Sequence, residues 1–109
     1  MEKDNSVYLK HVMDSVKRIE EYTKDVGKEQ FMAKPIIQAA VIREIEIIGE
    51  ATKMIDNKFK ETHNSIPWKS MAGMRDKLIH GYFGVDLESV WKTVQEDIPF
   101  LKKELNKIV

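Results

Sequence analysis

The chain has 109 residues, the length of a single domain, with 18 Lys plus Arg balanced by 18 Asp plus Glu. A net charge of zero excludes a uniformly basic nucleic-acid coat and an acidic tail, but not a local basic site. With 42% hydrophobic residues and no Cys, the composition suits a folded core and excludes disulfides, thiolate metal sites and Cys nucleophiles.

Residues 1–109 read as one domain, without linker, low-complexity stretch or internal repeat. The opening Met1-Glu2-Lys3-Asp4-Asn5 lacks the apolar core of a signal peptide. The longest apolar run, Ala39-Ala40-Val41-Ile42, is far too short for a membrane span. The expectation is a cytoplasmic chain with no membrane contact.

A first helix is predicted from about Ser6 to Val26, where Leu9, Val12, Val16, Ile19 and Val26 recur at helical spacing. A second starts at Pro35, whose missing N–H suits a first turn, and continues to about Asn57. Its apolar residues cover more than one stripe, which places it centrally or at a subunit interface. A third lies between Trp68 and His80, with Gly81 as its left-handed C-terminal cap. Asp86 is a good N-cap for a fourth. In that helix Leu87, Trp91, Val94, Ile98, Leu101, Leu105 and Ile108 follow at alternating steps of four and three, with a kink expected at Pro99. The expected architecture is all-α, an up-and-down four-helix bundle with a short extra turn or helix.

One segment stands apart from this packing pattern: Met74-Arg75-Asp76-Lys77-Leu78-Ile79-His80-Gly81-Tyr82-Phe83. Asp76 and His80 are four apart, so on a helix they share a face and the carboxylate can orient the imidazole. Arg75 borders the same face, and Gly81 frees Tyr82 to turn back towards it. A proton carrier, a fixed cation and a phenol at a helix end suit phosphoryl chemistry. From Lys58 to Tyr82 the cations Lys58, Lys60, Lys69, Arg75 and Lys77 face only Glu61 and Asp76, which favours an anionic ligand. The structural alternative is a His that caps a helix and a Tyr that packs with its hydroxyl wet. His11 and His63 read as surface residues, and Trp68 and Trp91 as core or interface anchors. Glu46 and Glu50 share a face without the Glu-x-x-His of a di-metal site, and no metal or cofactor motif is present.

Arg75, four residues, His80, one residue and Tyr82 resemble the Arg-x4-His-x-Tyr signature of HEPN ribonucleases. More closely, the chain resembles the HepT toxins along almost its whole length, through Glu46-Ile47-Ile48-Gly49-Glu50-Ala51, Ile66-Pro67-Trp68, Gly73-Met74-Arg75-Asp76, His80-Gly81-Tyr82-Phe83 and Ile98-Pro99. The resemblance implies a metal-independent endoribonuclease toxin of a type VII-like toxin–antitoxin pair, acting on RNA as a homodimer or larger assembly. It implies Arg75 and His80 as the catalytic pair and Tyr82 as the residue that a cognate minimal nucleotidyltransferase antitoxin modifies with AMP. Asp76 would support His80, and Lys69 and Lys77 would hold RNA. The competing reading is a non-catalytic helical module that binds the nucleotidyltransferase or a nucleotide.

Overall fold

A computed structural model describes residues 4–78 and 84–108, the side chain of Lys77 excepted. Helix α1 (Asn5–Tyr22) is capped by Asp4, whose carboxylate accepts the Ser6 N–H at 3.1 Å. This satisfies one of the donors that a first turn leaves unpaired. The helix stops short of Val26, its expected limit. Thr23 donates its hydroxyl to the Ile19 carbonyl at 2.8 Å, and Asp25 takes a φ of 59°, left-handed backbone through which a helix cannot continue. Val26 still packs on the core, which is why it prolonged the apolar pattern.

A short helix follows that periodicity does not reveal, α2 (Lys28–Ala33), opened by the Gly27 N–H donating to Gln30 Oε1 at 3.0 Å. Its Phe31 is fully buried and lies against Trp91, with ring centroids 5.1 Å apart. The Gln38 amide donates to the carbonyls of Phe31 and Met32 at 2.8 and 3.1 Å, tying α2 to the start of α3 (Pro35–Met54). Pro35 opens α3 as expected, but the helix ends before Asn57. Ile55 is extended and buried, and Asp56 caps a further short helix, α4 (Asn57–Thr62), by accepting the Lys58 N–H at 3.0 Å.

The expected third helix is broken into α5 (Trp68–Ala72) and α6 (Met74–Leu78). Gly73 separates them: its N–H donates to the Lys69 carbonyl at 3.1 Å, and glycine is a poor residue with which to continue a helix. The expected end at His80 and the Gly81 cap lie outside the described residues. Trp68 is a buried anchor, its indole N–H shared between the carbonyls of His63 and Lys60.

Asp86 caps α7 (Leu87–Lys92) as expected, accepting the Ser89 N–H at 3.2 Å. The chain then passes through a π-helical turn, Thr93–Asp97, into α8 (Ile98–Leu105). The irregularity anticipated at Pro99 thus takes another form. Ile98 N–H donates to the Thr93 carbonyl, five residues back, which widens the turn that the proline ring would crowd.

Neighbouring segments run antiparallel. Arg18 meets Glu44 at one end of the α1–α3 pair, and Asn5 meets Asp56 at the other. Lys102 of α8 meets Glu20 late in α1, while Ile108 lies beside Leu9 and Met13 early in it. The result is an all-α, up-and-down bundle of α1, α3, α5–α6 and α7–α8, with α2 and α4 as additions; the described residues contain no strand. Val12, Val16, Val41, Ile45, Ile48, Leu101 and Leu105 are almost wholly buried in its core. Each such side chain contributes about 1.5–3 kcal/mol by leaving water. Helix α3 packs on α1, α2, α5 and α6, which explains apolar residues on several of its faces. Glu44 is buried beside this core, and Arg18 Nε donates to it at 3.0 Å. That hydrogen bond raises the Arg18 pKa above its ordinary value.

Candidate active site

The helical break at Gly73 sets where Arg75 stands. Helix α5 approaches α3 closely at Gly49, where a Cβ would lie 3.3 Å from the Ala72 carbonyl oxygen. One turn earlier on α3 is Glu46, and just beyond Gly73 on the antiparallel α6 is Arg75. Their side chains meet, with Arg75 Nε 3.5 Å from Glu46 Oε2. The Glu46 side chain is one-third exposed, whereas the Arg75 side chain is about half exposed. The guanidinium is therefore held at Nε, while its other edge faces solvent, where an anion can approach it.

Asp76 is the second carboxylate near Arg75, 3.9 Å from its Nη1, but it is 73% exposed. Solvent screens an exposed pair of this length, so Asp76 constrains the arginine far less than Glu46 does. The expected partnership of Asp76 with His80 falls outside the described residues, as do His80 and Tyr82 themselves and the Lys77 side chain. The residues flanking that segment are well tied: Asp86 N–H donates to the Leu78 carbonyl at 2.8 Å. Asp86 in turn accepts the Ser89 hydroxyl at 2.8 Å, so the start of α7 is fastened to the end of the described part of α6. Gly84 follows with a φ of 96°, a conformation that favours glycine.

The expected basic face divides. Lys69 is exposed and lines a shallow groove with Lys60, Asn64 and Pro67 at the α4–α5 junction. Arg75 does not line that groove. A different open groove runs between α1 and α3, lined by Tyr8, His11, Arg43, Glu46 and Glu50. His11 is exposed there, as read from the sequence, with its ring edge-on to Tyr8 at 6.4 Å. Glu46 thus borders this groove and also holds Arg75. Sequence reasoning placed Glu46 in the family resemblance and in a rejected metal pair but assigned it no role beside Arg75, because nothing local in the chain signals a partner on another helix.

The HepT-like family model, described as "Ribonuclease HepT-like", matches residues 12–108. The chain is 50% identical over 108 residues to "Probable ribonuclease HepT" of Thermococcus cleftensis, covering 99% of this chain and 98% of that one. It is 42% identical over 102 residues to a "Putative RNase" of Caldanaerobacter subterraneus subsp. tengcongensis, covering 94% and 91% of the two chains. It is also 52% identical over 109 residues to a Methanocaldococcus jannaschii protein named "Gamma-glutamylcyclotransferase and putative RNase". The chain spans about half of that relative, 49% of its length. No solved structure matches the chain.

Proposed function

The chain belongs to the HepT-like ribonuclease family, and from that premise we propose that it is a metal-independent endoribonuclease toxin with its site at Arg75 and His80. The observation that carries this reading is the tethered, half-exposed Arg75 guanidinium just ahead of the His80-x-Tyr82 sequence. In this mechanism the ribose 2′-oxygen attacks the adjacent phosphorus and the bond to the leaving 5′-oxygen breaks. His80 takes the 2′-OH proton or delivers one to the leaving oxygen, and two protomers of a homodimer could supply one imidazole for each task. Arg75 stabilises the charge that builds on the phosphoryl oxygens. Asp76 orients His80, while Lys69 and Lys77 hold the RNA backbone. The nucleophile belongs to the substrate, so the chemistry requires neither a metal nor an enzyme nucleophile and is confined to RNA.

The same reading makes Tyr82 the point of control, with a cognate minimal nucleotidyltransferase as antitoxin. Attack of the Tyr82 hydroxyl on the α-phosphorus of ATP, with loss of its proton and departure of pyrophosphate, would bring a phosphodiester charge and a nucleotide to the place the RNA phosphate must occupy. Occupancy and charge then suffice for inhibition.

The test is RNA cleavage by the purified protein in the presence of a chelator. Products ending in 2′,3′-cyclic phosphate are expected from the wild type and none from Arg75→Ala or His80→Ala. The His80→Ala protein should retain its helical circular dichroism and melt within a few degrees of wild type. Cleavage that persists unchanged in both variants refutes the site assignment. Light scattering should give at least twice the 12.7 kDa chain mass.

A further inference from the structure

We propose that Glu46 is the positioning residue for Arg75, a role that rests on the ribonuclease reading above and extends its site to α3. The argument begins with helix packing. Gly49 admits the α5 backbone so closely that any side chain there would meet the Ala72 carbonyl. This contact sets the register of α3 against the antiparallel α5–α6 pair, and Glu46, one turn away, comes to face Arg75. The 3.5 Å approach is made through Nε, while Nη1 faces the exposed, solvent-screened Asp76 at 3.9 Å, a carboxylate that an incoming phosphate can displace.

Of the two carboxylates near Arg75 among the described residues, Glu46 is the less exposed and the better anchored. Asp76 is exposed and adjacent in sequence, so its position moves with that of Arg75. Glu46 sits on the twenty-residue helix at the centre of the bundle, and its side chain is one-third exposed against 73% for Asp76. It therefore supplies a fixed point. A long, rotamer-rich side chain held this way arrives at the transition state already ordered, which is worth more in rate than in binding. Arg43 and Glu50 line the same groove on α3, so Glu46 stands among charged neighbours where α3 faces Arg75.

The experiment follows the Arg75 Nε–H signal by nitrogen-15 NMR in the full chain, assigned by its loss in Arg75→Lys, alongside steady-state cleavage of an RNA oligonucleotide. In Glu46→Gln, which keeps size and removes charge, the Nε–H signal should shift and exchange faster with water. The turnover number should fall about 10- to 100-fold with KM nearly unchanged, as displacement of a catalytic group predicts. The melting temperature should stay within a few degrees, because an ion pair whose arginine is half exposed contributes little to stability. An Nε–H signal unmoved by Glu46→Gln overturns the proposal, and so does a moved signal with wild-type turnover. A wild-type protein that shows the Glu46-dependent signal yet cuts no RNA overturns the ribonuclease reading instead, with the pairing itself confirmed.

Discussion

Replacing Gly49 by Ala sets two effects of similar size against each other. In an open helix the change stabilises by about 1 kcal/mol, through the better helix propensity of Ala. At Gly49 the new Cβ would stand 3.3 Å from the Ala72 carbonyl oxygen and 3.6 Å from that of Met71. Both obstacles are backbone, and Met71 is anchored in the core, so neither can swing aside as a flexible side chain would. Overpacking of this kind costs about 1–3 kcal/mol, which outweighs the propensity gain. A net loss of about 1 kcal/mol lowers the melting temperature of a chain this size by about 4 °C. Gly73→Ala is the internal control: among the described residues its Cβ meets only the Lys69 carbonyl oxygen, at an ordinary 3.5 Å, and its φ of −94° suits any residue. It should melt within about 2 °C of wild type. Thermal unfolding followed by circular dichroism reads both variants. The same wedge also displaces Glu46 from Arg75, so Gly49→Ala should cleave RNA more slowly. A Gly49→Ala protein that melts at or above wild type would refute the packing argument.

Phe31→Ala empties a fully buried site against Trp91 and should cost about 3–5 kcal/mol in urea unfolding, despite lying in a helix of six residues. Arg18→Ala leaves the buried Glu44 carboxylate without this guanidinium and should cost about 1–3 kcal/mol; combining Arg18→Met with Glu44→Leu should recover much of that loss. Ser15 is wholly buried with no partner for its hydroxyl among the described residues, so Ser15→Ala should stabilise the fold by about 1 kcal/mol in the same assay. Tyr82→Phe keeps the ring and removes the acceptor oxygen, so mass spectrometry after co-expression with a cognate nucleotidyltransferase should show AMP on the wild type and none on the variant; AMP mapped to another residue would contradict the assignment.

What the chain declares by itself is local or periodic. Leu9, Val12, Val16 and Ile19 mark the buried stripe of α1, and Val94, Ile98, Leu101 and Leu105 that of the last helix, because 3.6 residues per turn is a property of the backbone. Pro35 and Asp86 mark helix starts for equally local reasons, a missing donor and a nearby acceptor. Arg75, Asp76, His80 and Tyr82 could be singled out because they sit within eight residues in one pattern. Other features depend on partners far along the chain. Helix α2 contributes one wholly buried side chain, Phe31, and that residue gains its importance only when Trp91 packs on it. The break at Gly73 and the π-turn before Pro99 resolve conflicts between helical continuity and close packing, and their outcome depends on what lies across the bundle. Glu46 shows the division most clearly. On its own helix it is one carboxylate among several, and it becomes the tether of Arg75 only because Gly49 lets another helix approach closely enough to bring the two charges together.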